Sequence, residues 1–104
     1  AVTAVSGSGP AYLFYLTEAL SAAAKSLGLA DDTAEKLAKA TIIGSAALME
    51  QSAETPAKLR QNVTTPNGTT AAALDVLMNE QTGFEPLMKR AVKAAENRSK
   101  ELGK

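Results

Sequence analysis

Glycine and proline interrupt this chain at only a few positions, and between those breaks the apolar residues almost never alternate with polar ones in the two-residue rhythm of a strand. Alanine and leucine dominate the intervening stretches, which favours helix at nearly every register. The expectation is an all-α fold of about five helices with no sheet, forming one domain over residues 1–104.

The first helix is expected over residues 10–27. Ser8 or Gly9 can cap it, Pro10 sits in its first turn, and Gly28 stops it. Glu18, Ser21 and Lys25 form one narrow polar stripe, while Leu13, Phe14, Tyr15, Leu16 and Leu20 leave most of the circumference apolar. A helix apolar on most sides must be enclosed on most sides. So short a chain has too few bulky residues to wrap it, so a partner surface is expected, a second copy being the simplest.

The second helix opens at Asp31 and Asp32, with Asp32 and Glu35 at capping-box spacing and Glu35 and Lys39 at i,i+4. Residues 40–49 carry no charge on any face, and ten helical residues rise about 15 Å, so this segment is expected to run through an interior. Ala40, Gly44 and Ala47 mark a small-residue side suited to close helix packing, within the chain or across a subunit boundary. A short third helix follows Thr55-Pro56, with Leu59 and Val63 inward. A fourth spans about 70–81 with Leu74, Leu77 and Met78 buried. The fifth begins near Phe84, with Gly83 before it and Gly103 after.

Between the third and fourth helices lies the polar loop Asn62-Val63-Thr64-Thr65-Pro66-Asn67-Gly68-Thr69-Thr70. Pro66 holds the turn, Asn67-Gly68 readily adopts positive φ, and Thr69 or Thr70 can cap the next helix. The first amides of that helix, from Gly68 to about Ala71, then point into one small space. With roughly half a positive charge at the helix N-terminus, that space suits a carboxylate or phosphate. The bland alternative is a helix–helix turn that binds nothing.

Other chemistries are excluded more firmly. The chain has no cysteine and no histidine, which removes disulfides, thiolate nucleophiles, histidine-based triads and the usual metal sites. Eleven acidic and eleven basic residues leave no net charge to draw nucleic acid or an anionic membrane. No apolar run is long enough to span a bilayer, and the first residues lack the basic head of a signal peptide, so a cytoplasmic location is expected. Ser6-Gly7-Ser8-Gly9-Pro10 lacks a third glycine and a preceding strand, so it is no dinucleotide fingerprint; local chemistry reads it as a hinge with a helix cap. Any reactive group must come from outside the chain.

Ser6-Gly7-Ser8-Gly9-Pro10-Ala11-Tyr12, then Gly28-Leu29, then the run from Pro56 through Asn62 to Thr70, and finally Ala94-Ala95-Glu96-Asn97-Arg98-Ser99-Lys100-Glu101-Leu102 resemble, in order, the C-terminal half of the pyrroline-5-carboxylate reductase family. The resemblance covers essentially the whole chain. One departure is local: the family usually carries Pro-Gly-Gly-Thr-Thr, and Asn67 stands here for the first of those glycines. Asparagine is the non-glycine residue that best tolerates the left-handed region, so the loop shape should survive.

The resemblance implies reduction of the C=N bond of Δ1-pyrroline-5-carboxylate to L-proline with hydride from NADPH or NADH, and no metal. By that similarity the amides of Gly68, Thr69 and Thr70 hold the substrate carboxylate, with Asn67 shaping the loop. The Thr70 hydroxyl stands near the ring nitrogen as the catalytic group, Asn62 and Thr65 brace the loop or touch substrate, and Ser6, Gly7, Ser8, Gly9 and Pro10 border the nicotinamide. It implies a homodimer of interlocked helices, alone or built into a larger assembly. It also implies that a Rossmann cofactor domain precedes this one in family members, so that these 104 residues alone have no useful reductase activity. Two alternatives stand beside it: a helical oligomerisation module without a ligand site, and the second domain of another Rossmann-type dehydrogenase of small acids.

Overall fold

The computed structural model describes residues 1–103, and every described regular element is helical. A π-helical turn at Thr3–Gly7 precedes five α-helices: α1 (Gly9–Ser26), α2 (Asp31–Gln51), α3 (Pro56–Asn62), α4 (Thr69–Leu77) and α5 (Phe84–Leu102). The all-α expectation holds. The chain divides into two compact units, Gly9–Thr55 and Ala1–Ser8 with Pro56–Lys104.

Within Gly9–Thr55, α1 and α2 pack as a pair. Their connection is a Schellman turn: Gly28 adopts φ of 98°, its amide donates to Lys25 O at 2.9 Å, and the Leu29 amide reaches back to Ala24 O at 3.3 Å. Glycine makes this left-handed stop without penalty, as the sequence suggests. The start of α2 differs from expectation. Ala30 is its N-cap and no side chain caps it; Asp32 lies inside the first turn and pairs with Lys36 at 3.1 Å. The two aspartates act here through the helix dipole rather than as a capping box. Glu35 binds Lys25 of α1 at 3.3 Å rather than Lys39, tying the two helices together. Ser52 Oγ accepts from the Glu54 amide at 3.0 Å and closes α2 with a tight turn.

The polar stripe of α1 turns toward α2 instead of outward. Ser21 is 6% exposed and, with Ala34 and Ala38 of α2, is fully buried, whereas Phe14 and Tyr15 are 70% and 72% exposed. Small side chains at such positions let two helix backbones approach closely. The cost is that no large side chain is fully buried anywhere among the described residues. The interior passage expected for residues 40–49 is not made within the chain: Ile43, Leu48 and Met49 are exposed, and a Cβ added at Gly44 would meet nothing within 4 Å.

In the second unit the π-turn lies against α5, with Ala4 buried. Leu59, Leu74 and Leu77 are half-buried, but Val63 and Met78, expected inside, are exposed. The fourth helix ends at Leu77, four residues short of expectation. Asn79 explains why: its Oδ1 accepts from the amides of Gln81 and Thr82 at 2.9 and 3.0 Å, offering the backbone a local turn in place of another helical one. Gly83 then caps α5.

Candidate functional site

The loop of residues 62–70 joins α3 to α4 and is built from backbone hydrogen bonds. Thr64 closes the end of α3, its Oγ1 donating to Arg60 O at 2.6 Å and its amide to Gln61 O at 3.1 Å. Pro66 and Asn67 form the turn that follows, and Asn67 has φ of 62°, the one non-glycine residue of the described chain at positive φ. Asparagine tolerates this region better than other side-chain-bearing residues. The Gly68 amide donates to Thr65 O at 2.9 Å. A Cβ at Gly68 would lie 3.1 Å from that oxygen and 3.4 Å from Thr65 Cβ, so the small residue permits the closure.

Gly68 is the N-cap of α4, and no side chain caps the helix. Thr69 and Thr70, each expected as a possible cap, are instead its first two residues. The first intrahelical bond is from the Ala72 amide to Gly68 O at 3.1 Å. That leaves the amides of Thr69, Thr70 and Ala71 with no acceptor among the described residues. Three consecutive N–H groups of a first helical turn project along the axis, where the dipole favours negative charge. Three free amides can hold one carboxylate.

The structure therefore spends the Gly68 amide inside the loop and makes Ala71 the third open donor. Ala71 lies at the end of the Gly68-to-Ala71 run expected from the sequence, whereas the family resemblance names only Gly68, Thr69 and Thr70. The Thr70 side chain is half-buried at this helix start, and its hydroxyl has no hydrogen-bond partner in the protein. Thr65 enters the loop through its backbone oxygen. Asn62 is the exposed last residue of α3, at the mouth of the loop. Arg60 lines a cleft of about 600 Å³ with Leu74, Leu77, Phe84 and Lys89.

The segment from Ser6 to Pro10 contains the boundary between the two compact units, between Ser8 and Gly9. Residues 3–7 are helical, Ser6 Oγ donates to Val2 O at 3.0 Å, and the Ser8 amide donates to Thr3 O at 2.9 Å. With those donors committed locally, the segment is not a phosphate cradle for a dinucleotide. Gly9 has open space where a side chain would stand, so the backbone there can serve as a wall against a flat ring. No group of three or more acidic, histidine or cysteine residues that could hold a metal ion occurs among the described residues. No described helix is long and apolar enough to cross a membrane.

Comparisons with known proteins bear on these features together. A family described as pyrroline-5-carboxylate reductase dimerisation matches residues 1–102. The chain is 49% identical over 102 residues to the pyrroline-5-carboxylate reductase of Pseudomonas aeruginosa, covering 98% of this chain and 37% of that one. It is likewise 49% identical over 104 residues to the enzyme of Corynebacterium melassecola, covering 100% and 38%. Among solved structures, the Plasmodium falciparum pyrroline carboxylate reductase with NADP bound superposes with a TM-score of 0.90 at 34% identity, over 99% of this chain and 38% of that one. The chain thus spans less than two fifths of the length of these relatives.

Proposed function

The chain belongs to the pyrroline-5-carboxylate reductase dimerisation family, and from that membership we propose that it is the substrate-binding and dimerisation part of an enzyme that reduces Δ1-pyrroline-5-carboxylate to L-proline. The observation that carries the reading is the set of three unpaired amides at Thr69, Thr70 and Ala71. In Δ1-pyrroline-5-carboxylate the carboxylate stands on the ring carbon next to the imine nitrogen, so anchoring the carboxylate also fixes where the reacting carbon lies. NADPH or NADH supplies the hydride when bound.

The residues of this chain then have defined tasks. The amides of Thr69, Thr70 and Ala71 neutralise the carboxylate, helped by the α4 dipole. The free Thr70 hydroxyl donates to or steadies a proton at the ring nitrogen. Asn67, Gly68 and Thr65 shape the turn, Asn62 stands at its mouth, and residues 6–10 border the nicotinamide. Reduction consumes one hydride and one proton, so the amine nitrogen formed next to Thr70 gains the proton that balances the reaction.

The second task is association, and we assign it to a homodimer in the cytoplasm. Leu13, Phe14, Tyr15 and Leu16 on α1 and Leu37, Ile43, Leu48 and Met49 on α2 are all left uncovered by the chain itself. A face of that size on a water-soluble domain calls for a partner of the same chemistry, and a second copy supplies it. The open side of Gly44 fits a backbone crossing from that copy.

Titration of L-proline into the isotopically labelled chain, read by the amide resonances of residues 64–71, tests the site. Shifts centred on Thr69–Ala71 are expected, and Gly68→Val should weaken binding at least about tenfold while helix content stays unchanged. A folded dimer whose loop resonances do not move would leave only the association role.

A further inference from the structure

The dipeptide that shapes the loop also carries a chemical liability. Asn67 is exposed, its carboxamide makes no hydrogen bond among the described residues, and the residue after it has no side chain to shield its nitrogen. The other three asparagines are protected in different ways. Asn62 precedes the branched Val63 at the end of α3, Asn97 lies inside α5, and the Asn79 oxygen is held by two amides ahead of Glu80. We propose that Asn67 is a self-modification site: it deamidates through Gly68, and the product disables the anion cradle beside it.

The step needs only water. The Gly68 nitrogen gives up its proton to solvent base and attacks Asn67 Cγ, forming the C–N bond of a five-membered succinimide as the Cγ–Nδ2 bond breaks and ammonia leaves. Water then opens the ring at either carbonyl. One opening leaves aspartate; the other leaves isoaspartate, with the main chain routed through the side-chain carbon and lengthened by one methylene. Nothing is oxidised or reduced. Asn67 plus water becomes an acid plus ammonia.

Two features of the fold control the rate. The attacking nitrogen is tied to Thr65 O at 2.9 Å, and Asn67 is held at φ of 62°. Both must be released before Gly68 N can reach Cγ, so the reaction proceeds from an opened loop rather than from the native turn. An anion gripping the Thr69–Ala71 amides holds the turn closed and slows it. The product places a negative charge one residue before Gly68, next to donors that would otherwise hold a carboxylate, and like charges at that range repel. That consequence rests on the carboxylate reading of the loop; the chemistry of Asn67 does not.

The test is incubation of the chain at mildly alkaline pH with and without L-proline, followed by peptide mass analysis of all four asparagines and by proline titration of the aged protein. The expected result is conversion confined to Asn67, slowed by L-proline, with an affinity loss of about tenfold or more that Asn67→Asp reproduces. Asn67→Gly should show no ageing. An unchanged Asn67 under conditions that convert another asparagine overturns the proposal. So does full conversion with unchanged proline affinity. A fresh chain that binds no proline while Asn67 still converts instead sinks the carboxylate reading and leaves the modification standing.

Discussion

In the α1–α2 pair the small and polar side chains face the seam and the large apolar ones face away. In the unit carrying α3, α4 and α5, leucines are drawn partly inside and the α3–α4 loop leads into a helix start with open amides. Neither unit buries a large side chain completely among the described residues, and both leave large apolar side chains exposed, Phe14, Tyr15 and Ile43 in the first and Val76, Met78 and Leu87 in the second. Apolar side chains left in water call for a matching surface. Unpaired N–H groups at a helix start call for an anion. The division open to test lies between the apolar outer side of the helix pair and the open amides of the loop.

The strongest way to break that division is to charge the apolar face. Phe14→Glu removes an exposed ring and puts a carboxylate into the proposed dimer interface, and a two-fold axis makes the change count twice. At about 1.5–3 kcal/mol for each phenylalanine burial lost, dimerisation should weaken by about 3–6 kcal/mol. Sedimentation should show monomers at concentrations where the parent chain is dimeric. An unchanged association constant would remove α1 from the interface.

A comparable blow aimed at the other unit should fall at Gly83. A side chain there would collide with Leu77 O and stand 2.6 and 2.7 Å from Asn79 O and N. Backbone atoms cannot swing aside as a flexible side-chain end can, so Gly83→Ala should cost about 3 kcal/mol. Hydrogen exchange should then report loosening of α4 and α5 in excess of that in α1. Uniform loosening would show that the two units do not open separately.

How much of this was legible in the sequence differs between the units for a physical reason. Helix positions, the Gly28 stop, the Gly103 stop and the positive-φ turn at Asn67 follow from local chemistry, and the chain adopts them. The missed features are the ones decided by competition. Asp32 was a plausible capping residue but lies within the helix, Asn79 outcompeted the last turn of α4, and Gly68 rather than a threonine became the N-cap. Interior assignments for Val63, Met78 and residues 40–49 failed because periodicity shows which face is apolar, not whether this chain covers it.

The finest contrast is electrostatic. Lys25–Glu35 joins two helices, but its side chains are 35% and 65% exposed, so Glu35→Gln should cost about 0.5 kcal/mol or less and show up as a small downward shift in the melting temperature. Glu96 lies within one helix and gathers more charge. Its carboxylate accepts from Lys93 at 3.2 Å and faces Lys100 at 3.7 Å, and these two cations hold its pKa below the ordinary glutamate value of 4.5. With the folded value depressed, the unfolded chain takes up the proton first as pH falls. The stabilisation is therefore complete above about pH 4.5 and is lost as pH drops through the lower folded value. Glu96→Gln should accordingly flatten the acid limb of the stability curve by slightly lowering the plateau above about pH 4.5 and leaving the acid end unchanged, the drop being small because its lysine partners are exposed and screened. Denaturant melts of both variants between neutral and acidic pH check this, and an acid limb unchanged by Glu96→Gln would show that the cluster contributes nothing.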